Sequence, residues 1–458
     1  MSAFQWKRLG MLGLLASGTV AYAQSGPAPV TISDARTTTL GVLSTSTTEG
    51  RRGELYSAYV DLDGTLMFAA CTTNCKQTKS WQRVKITQEK LGSNIARVRV
   101  DSRGGVHIMR LIGEHLSQMA AIYSSCAGDC LKTGNWKTTA LPGRFNVARY
   151  QLTNDWFALD RQDRPRFMTV NGYWSAANEL QDQINENVVY SFCDQNCHTA
   201  ANWKVVPIIS AGKMNGVIHS GVLRFDAKNR AHFIAAVDGR LTYLTCAQNC
   251  GQGSNWQGTA LRGPLGEFYR TKRTFDLTLA PNGTVYVPFT YDNEPGKPAQ
   301  LWLFSCAQNC MTKAAWKQVN LSASAAFPKN LLDTGLEPAA QFANNKLLIA
   351  FQAVHQTNRP AQRLYVMTCT GNCQSAQGSW KSRLAYSSET VKLPDRTPYQ
   401  YMYTALHTEA VLSGGQIAFT AVPHWGVNYT RLIDRPGASL VPVSESNFQW
   451  IPIPQLVW

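Results

Sequence analysis

Tyr243-Leu-Thr-Cys246-Ala-Gln-Asn-Cys250-Gly-Gln-Gly-Ser-Asn-Trp256 contains one of six copies of the pattern Cys-x-x-x-Cys-x-x-x-x-x-Trp. The last copy has one extra residue before its Trp. The six copies hold all 12 cysteines of this 458-residue chain, and their first cysteines are 53 to 67 residues apart. A repeat of about this period is typical of arrays and propellers. The copies are Cys71/Cys75/Trp81, Cys126/Cys130/Trp136, Cys193/Cys197/Trp203, Cys246/Cys250/Trp256, Cys306/Cys310/Trp316 and Cys369/Cys373/Trp380.

Each copy occupies the same place in a pattern of four short apolar stretches. In the fourth repeat, Leu223–Phe225 and Ala231–Val237 flank the polar turn Asp226–Arg230. A third stretch ends at Cys246, and a fourth begins at Trp256. Short polar turns between alternating apolar runs indicate hairpins. Four antiparallel strands in roughly 60 residues form one propeller blade, so we predict an all-β propeller.

A seventh unit without cysteines completes the pattern. Ala410–Leu412 and Gln416–Val422 predict its first two strands, and Tyr429–Ile433 predicts the third. Phe448–Ile453 is expected to be the fourth strand, with Trp450 in the place of the repeated Trp. We therefore predict a seven-bladed β-propeller of four-stranded antiparallel blades. Six blades, with the last unit packed against the ring, is the alternative.

The predicted organisation is a signal peptide over residues 1–23, an N-terminal extension over 24–37 and one propeller domain over 38–458. Lys7 and Arg8 precede a short apolar run, and Ala21-Tyr-Ala23 resembles a cleavage site. The run is too short for a membrane anchor, and no later stretch is long enough to span a membrane. We expect a secreted or periplasmic protein, cleaved after Ala23. In the extension, Val30–Ile32 is expected to add an edge strand.

The paired cysteines predict six disulfides, one within each hairpin. Two cysteines four residues apart across a turn can reach each other, and an exported protein permits the bond. Such a small ring stabilises by about 2 kcal/mol. A zinc site would need two pairs to converge. His198 follows one pair only, and haem attachment needs two residues, not three, between its cysteines. No metal and no cofactor are therefore predicted.

The hairpin resembles a motif of the sialidase superfamily. Its Asp-box propellers carry Ser-x-Asp-x-Gly-x-x-Trp at this turn, and a disulfide replaces the Asp-box in Cys246 to Trp256. The chain is also similar to exported bacterial repeat proteins with Tyr-x-x-Cys-x-x-x-Cys-x-x-x-x-x-Trp, which Tyr123 to Trp136, Tyr190 to Trp203 and Tyr243 to Trp256 match. The resemblance implies a sialidase-like propeller. The chain lacks the Phe/Tyr-Arg-Ile-Pro segment that carries the first sialidase arginine, so no catalytic residue follows from the resemblance.

The formal net charge of +15 favours anionic partners. The chain has no run of five basic residues, so nucleic acid is not an expected partner. We expect a monomer that binds a glycan or an envelope protein.

The candidate ligand face is the one formed by second-to-third loops and blade connections, opposite the cysteine hairpins. Functional residues concentrate on irregular loops of this kind, and here they are aromatic, basic and acidic. The hairpin face is expected to be scaffold. The candidates are Glu114, His115, Arg149, Tyr150, Tyr173, Trp174, His219, Tyr269, Arg270, Tyr291, Asp292, His355, Tyr401, His407 and Trp425.

No catalytic residue can be assigned from the sequence. Glu114, Asp155, Asp292, Glu337 and Glu409 are carboxylates on or near the candidate face, but their separations cannot be derived from the sequence. The favoured prediction is a non-enzymatic propeller that binds a glycan or protein at the cell envelope. A glycan-active hydrolase or lyase of sialidase-like fold is one alternative, and a scaffold subunit of an envelope assembly is another. A carboxylate pair less than about 10 Å apart at the centre would favour the enzyme.

Overall fold

The chain folds as a series of small antiparallel sheets. The computed structural model describes residues 30–31, 42–61, 64–75, 77–88, 93–113, 119–142, 145, 155–173, 184–210, 219–237, 240–261, 275–291, 299–355, 362–387, 401–404, 409–413, 416–421, 423–426 and 449–453. In these residues every cysteine hairpin belongs to its own four-stranded sheet, whose strands pair in chain order. The predictions of an all-β fold and of four-stranded units are thus confirmed.

We number the six sheets in chain order. Sheet 1 has β2 (Val42–Glu49), β3 (Leu55–Asp61), β4 (Thr65–Cys71) and β5 (Gln82–Gln88), and sheet 2 has β6 (Ser93–Val100), β7 (Val106–Gly113), β8 (Ala120–Cys126) and β9 (Trp136–Ala140). Sheet 3 has β10 (Phe157–Leu159), β11 (Pro165–Tyr173), β12 (Ile184–Phe192) and β13 (Lys204–Ser210), and sheet 4 has β14 (His219–Phe225), β15 (Ala231–Val237), β16 (Arg240–Cys246) and β17 (Gln257–Ala260). Sheet 5 has β18 (Thr278–Leu279), β19 (Val285–Tyr291), β20 (Gln300–Cys306) and β21 (Lys317–Asn320), and sheet 6 has β22 (Leu331–Ala343), β23 (Lys346–His355), β24 (Gln362–Cys369) and β25 (Trp380–Ser387).

A further four-stranded sheet, sheet 7, joins the two ends of the chain. Its order is β27 (Glu409–Ser413), β28 (Gln416–Ala421), β30 (Gln449–Ile453) and β1 (Val30–Thr31). We expected Phe448–Ile453 to be the fourth strand. It is the third, because β30 pairs directly with β28, and the N-terminal β1 takes the outer place. The predicted strand Tyr429–Ile433 lies outside the described residues.

Two other strands form a small sheet of their own. β26 (Tyr401–Thr404) pairs antiparallel with β29 (Pro423–Gly426). Short 3-10 turns precede the fourth strand in sheets 1 to 5, and one more follows β21. They are Thr78–Ser80, Thr133–Asn135, Ala200–Asn202, Gly253–Asn255, Lys313–Ala315 and Leu321–Ala323.

The cysteine hairpins form the six predicted disulfides. Each cysteine pairs with the one four residues away, at Cα–Cα distances of 5.6 to 5.7 Å, and none is free. The prediction is confirmed for every pair, and no bond joins two different sheets. The bonds are Cys71–Cys75, Cys126–Cys130, Cys193–Cys197, Cys246–Cys250, Cys306–Cys310 and Cys369–Cys373.

The two cysteines of a pair have different positions in the sheet. The first cysteine is buried in every hairpin, at or directly after the end of the third strand, whereas the second lies in the turn beyond it. Among the second cysteines, Cys130 and Cys373 are buried, and the other four are partly exposed: Cys75, Cys197, Cys250 and Cys310. The disulfide therefore ties an outer turn to the end of a buried strand, which is a structural role.

Each disulfide ring contains one residue at positive φ. In four hairpins it is the Asn before the second cysteine, as at Asn249 (φ 53°), and in two it is Gly128 or Gly371. Asn and Gly are the residues that adopt this region most readily. The repeated Asn or Gly is therefore part of the hairpin signal.

The repeated Trp connects each hairpin to the neighbouring sheet. The Trp256 indole nitrogen donates a hydrogen bond to the Cys250 carbonyl oxygen, 2.9 Å away. Its ring lies 5.2 Å from the ring of Tyr190 in sheet 3. The same contact joins Tyr123 to Trp203 and Tyr243 to Trp316. The Tyr three residues before the first cysteine is therefore the partner of the next sheet's Trp, which explains why both residues repeat.

The sheets have two kinds of end. One end carries the first-to-second turns and the cysteine hairpins, and we call it the turn side. The other carries the second-to-third connections and the links between sheets, and we call it the loop side. The first strands of neighbouring sheets contact each other: β2 with β6, β6 with β10, β10 with β14, β18 with β22, and β27 with both β2 and β22. Charged residues on these first strands consequently meet.

Candidate functional site

A cluster of charged side chains lies where the first strands of sheets 2 to 6 approach each other. Arg97 and Arg99 belong to β6, and Arg224 belongs to β14. Asp155 and Asp276 lie two residues before the first strands of sheets 3 and 5, which begin at Phe157 and Thr278. We call these five residues the central cluster. A buried charge is costly unless it is paired, so their partners matter.

Asp155 has two arginine partners. One oxygen accepts a hydrogen bond from the Arg99 guanidinium, and the other lies 2.5 Å from Arg224 Nη1. The side chains of Asp155 and Arg99 are 14% and 18% exposed. Arg97 is buried, lies over the Trp156 ring and donates to the Ala96 carbonyl oxygen. Asp155 thus ties sheet 3 to sheets 2 and 4.

Asp276 is held by backbone groups as well as by charge. Its Oδ1 accepts from the Leu277 N–H, and its Oδ2 accepts from the Ala340 N–H of β22, both at 2.7 Å. Arg224 Nη2 lies 3.5 Å from Oδ1. The Asp276 side chain is 14% exposed.

The two carboxyl groups have opposite pKa shifts. Burial raises the pKa of Asp276 to about 6, against the attraction of Arg224 and its backbone donors and with some help from Asp155. Burial also acts to raise the pKa of Asp155, but Arg224, Arg99 and Arg97 outweigh it, and the pKa of Asp155 is lowered. Asp155 is therefore the ionised member, while Asp276 can take up or release a proton near neutral pH. Carboxyl pairs whose environments separate their pKa values are a feature of acid–base sites.

Arg224 brings the two carboxyl groups together. They contact the two terminal nitrogens of its guanidinium group. Carboxyl groups that share one guanidinium lie within about 10 Å of each other, which is the range of carboxyl pairs in glycoside hydrolases. The pair includes Asp155, one of the carboxylates named from the sequence, and meets the distance part of the criterion for an enzyme, although neither carboxyl group lines the pocket beside Arg224.

A pocket lies on the turn side, beside Arg224. Its volume is about 490 Å³, and its walls come from the turn of sheet 3, the β14 end and turn of sheet 4, the β18 end and turn of sheet 5, and the end of β22. Arg224 belongs to both the pocket and the central cluster. The sequence assigned this side to scaffold, whereas the structure places a ligand-sized cavity there.

Five of the sequence-predicted ligand residues fall at strand positions that the structure describes on the loop side or on the small sheet. Tyr173 ends β11, His355 ends β23 and His219 begins β14, all at the loop side. Tyr401 pairs with Gly426, and Trp425 pairs with Met402, on the small sheet of β26 and β29.

Tyr291 also ends its strand, β19, at the loop side, but its side chain belongs to the core. It is 7% exposed, and its ring lies 6.3 Å from that of Trp302 in a T-shaped contact. The other candidates lie outside the described residues: Glu114, His115, Arg149, Tyr150, Trp174, Tyr269, Arg270, Asp292 and His407.

Sequence reasoning missed four members of the central cluster. Arg97, Arg99 and Arg224 stand on otherwise apolar first strands, and Asp276 stands in the same place in sheet 5. Charges within such apolar strands were the available signal, because an unpaired charge there would be too costly. Among the described residues, no three His, Cys, Asp or Glu side chains are grouped to hold a metal ion, and no helix there is long and apolar enough to cross a membrane.

No protein-family profile matches the sequence, and no curated protein matches it. Solved structures do match. An ulvan lyase of polysaccharide lyase family PL25 superposes with a TM-score of 0.53 at 9% identity, covering 93% of this chain and 95% of that one. An arabinofuranosidase of family GH93 from Fusarium graminearum gives 0.46 at 10% identity, covering 78% and 96%. An intramolecular trans-sialidase from Ruminococcus gnavus gives 0.45 at 11% identity, covering 94% and 98%.

These chains have sialidase-like, propeller-type folds and are named as glycan-active enzymes. The favoured prediction from the sequence, a non-enzymatic binding propeller, is therefore wrong, and the match to the ulvan lyase favours its alternative, a hydrolase or lyase. At 9% identity the likeness establishes the fold, so an activity must be argued from this chain's own residues.

Proposed function

We propose that this chain is a glycan-active enzyme, a hydrolase or a lyase, built as a closed ring of seven blades. The contacts of β27 with both β2 and β22 support ring closure, since they link sheet 7 to sheets 1 and 6. The pairing of β1 with β30 adds a connection between the two ends of the chain. We also propose that residues 1–23 direct export. The disulfides fit an extracellular location, because such bonds persist in oxidising compartments.

The observation that carries the proposal is the Asp155–Arg224–Asp276 arrangement. Asp276, with a pKa of about 6, is the residue that exchanges a proton with the sugar. In hydrolysis, its protonated form gives a proton to the glycosidic oxygen while ionised Asp155 faces the sugar carbon or an attacking water. In β-elimination, its ionised form takes the proton from the ring carbon next to a uronic acid carboxylate. The C–H electron pair forms a C=C bond as the bond to the leaving oxygen breaks, and that oxygen takes a proton from water. In hydrolysis, Arg224 keeps Asp155 ionised, and this carboxylate stabilises the positive charge that develops on the sugar ring. In β-elimination, Arg224 stabilises the negative charge that develops when the ring proton is removed.

The loop-side residues complete the substrate site in this proposal. In this proposal, aromatic and basic candidates such as Trp174 and Arg270, which lie outside the described residues, bind further sugar units of the glycan. Aromatic rings and guanidinium groups suit this role, because sugars stack on rings and hydrogen-bond to the arginine fork.

The test is glycan cleavage by the purified protein and by Asp276→Asn. A panel of plant, algal and bacterial polysaccharides is incubated with each, and products are followed as reducing ends and as ultraviolet absorbance of unsaturated sugars. Absorbance identifies a lyase, and reducing ends without absorbance identify a hydrolase. We expect Asp276→Asn to lower kcat by about 10²–10⁴-fold, the usual contribution of a proton-transfer group. The amide keeps the shape of the carboxyl group but can accept from only one of the Leu277 and Ala340 N–H groups. Circular dichroism of the variant therefore checks that its fold is that of the wild type.

Asp129→Asn is the matched control. Asp129 lies in the cysteine hairpin of sheet 2, its side chain is 50% exposed, and its ion pair with Lys132 is local. We expect its activity to equal that of the wild type. Full activity of Asp276→Asn on the cleaved glycan, or no cleavage of any polysaccharide in the panel by the wild type, would show that the proposed function is wrong.

A further inference from the structure

The turn-side pocket beside Arg224 is lined by four basic side chains, namely Arg161, Arg224, Lys228 and Arg230. Among its lining residues the single carboxylate is Asp226. Its volume of about 490 Å³ lies within the range of roughly 300–1,000 Å³ that is usual for small-ligand sites. The pocket is thus of the right size and charge for an anionic group on a small ring.

The two turn arginines are fixed through their Nε atoms. Arg161 Nε donates to the Asp226 carbonyl oxygen at 2.9 Å, and the Arg161 backbone N–H donates to Asn229 Oδ1 at 2.8 Å. Arg230 Nε donates to Asp226 Oδ2 at 2.6 Å. Arg230 Nη2 reaches the turn of sheet 5, where a Cβ on Gly283 would be 3.8 Å from it. The terminal nitrogens are therefore the atoms that a ligand in the pocket meets, and they are held in place in advance.

The charge of Asp226 is already engaged by its own sheet. Its Oδ1 accepts from the backbone N–H groups of Lys228 and Arg230, and its Oδ2 contacts Arg230 and His232. Burial acts to raise the pKa of Asp226, but these hydrogen bonds outweigh it and hold the pKa well below its usual range. The negative charge of Asp226 therefore offsets the positive charge of Arg230. The exposed Arg161 and Lys228 give the pocket a net positive charge.

The pocket lining also includes apolar residues. Phe225 and Leu279 end the first strands of sheets 4 and 5, and Pro281 stands in the sheet 5 turn. Phe342 from β22 lies flat against Tyr286, with ring centroids 6.1 Å apart. A lining that combines apolar side chains with arginine forks suits a sugar ring that carries an acidic substituent, since the ring packs on apolar groups and the acid accepts from the forks.

We propose that this pocket binds an acidic sugar residue, through a carboxylate or a sulfate ester, and that it makes the chain selective for acidic glycans. The selectivity rests on the proposed function, whereas the binding does not. Because Arg224 contacts both the pocket and the Asp155–Asp276 pair, an acidic sugar in the pocket lies next to the proposed proton-transfer site. The turn side is then a binding surface and not scaffold alone.

The test is isothermal titration of the full protein with three oligosaccharides of equal length: an oligogalacturonate, a sulfated galactan fragment and a neutral galactan fragment. We expect the wild type to bind at least one acidic oligosaccharide, more weakly as salt increases, and the neutral one at least tenfold more weakly. The double variant Arg161→Gln/Lys228→Gln should lose about tenfold in affinity for the acidic ligand, as expected for two partly exposed ionic contacts. The tighter of the two acidic ligands identifies the substituent.

The matched control is Arg103→Gln/Lys317→Gln, which also removes one arginine and one lysine. The Arg103 side chain is 83% exposed in the turn of sheet 2, and Lys317 is exposed at the start of β21. This control should bind like the wild type. Equal losses of affinity in the two double variants would mean that net charge alone attracts the glycan. That result would overturn the proposal that this pocket binds the acidic sugar. So would failure of the wild type to bind either acidic oligosaccharide.

Failure of the pocket can be told apart from failure of the proposed function. If Asp276→Asn keeps full cleavage while the pocket variant loses binding, the catalytic assignment is wrong and the pocket stands. If Asp276→Asn abolishes cleavage while the pocket variant binds normally, the pocket assignment is wrong and the proposed enzyme stands. Arg224 is left unchanged in both the cleavage assay and the binding titration, because it belongs to the central cluster and to the pocket.

Discussion

Replacing Trp256 with alanine should be among the most damaging single changes in this protein. The Trp256 side chain is 8% exposed, so nearly the whole indole is removed from a packed environment. Its Nε1–H also donates to Cys250, and its ring contacts Tyr190 of the preceding sheet. Truncating a buried Trp to Ala costs about 3–5 kcal/mol of unfolding free energy. We expect a value in the upper half of that range, because a carbonyl loses its donor and two sheets lose a contact.

The assay is urea unfolding of the oxidised protein followed by circular dichroism. Trp302→Ala is the control, since Trp302 is partly buried and its indole donates to exposed Gln300. We expect the control to lose less than about 2 kcal/mol. A double-mutant cycle with Tyr190→Leu should give a coupling of about 0.5–1.5 kcal/mol. A loss below about 1 kcal/mol for Trp256→Ala, or a loss equal to that of Trp302→Ala, would refute the role of this Trp between sheets.

Three further predictions concern the charge cluster, the hairpins and the loop side. For Asp276 the pKa rises from 3.8 to about 6 on folding, so the protonated native form is favoured and stability should fall as pH rises from about 4 to 6. Asp276→Asn should remove a decline of about 2–3 kcal/mol in unfolding titrations, and an unchanged pH profile would contradict the assignment. Cys246→Ser with Cys250→Ser should cost about 2 kcal/mol of unfolding free energy, and a neutral effect would show that the ring does not restrict the unfolded chain. Arg270→Ala should weaken substrate binding with an unchanged melting temperature, whereas Lys313→Ala, in a hairpin, should not; equal effects on KM would argue against the loop-side site.

The repeated units could be predicted because their signals are local. The cysteine pair, the following Trp and the preceding turn lie within about 30 residues, and each has one structural meaning. Sheet 4 illustrates this: the predicted second strand Ala231–Val237 is β15 itself, and the predicted first strand Leu223–Phe225 is the C-terminal part of β14. Tyr243 and Trp256 repeat in the pattern, but their contacts with the neighbouring sheets were found only in the structure.

The central cluster and sheet 7 could not be predicted because their partners are far apart in sequence. Arg99 meets Asp155 56 residues later, and Ala340 meets Asp276 across 64 residues. A charge among apolar strand residues signals that a partner exists, but the sequence does not say which residue of another sheet is that partner. The same holds for Gln449–Ile453, whose position was assigned by analogy with the other units. The analogy failed because the outer strand comes from the other end of the chain.

The pairing of β1 with β30 determines the order in which the sheets of this protein can form. Val30 pairs with Trp450, some 420 residues later. During synthesis, sheets 1 to 6 can each form from contiguous chain, but sheet 7 can form only after its last strand has been made. Until then, β28 has an unsatisfied edge that can pair with another chain. Loss of β1 and loss of β30 would therefore disrupt the same sheet, sheet 7, although the two strands are far apart in sequence.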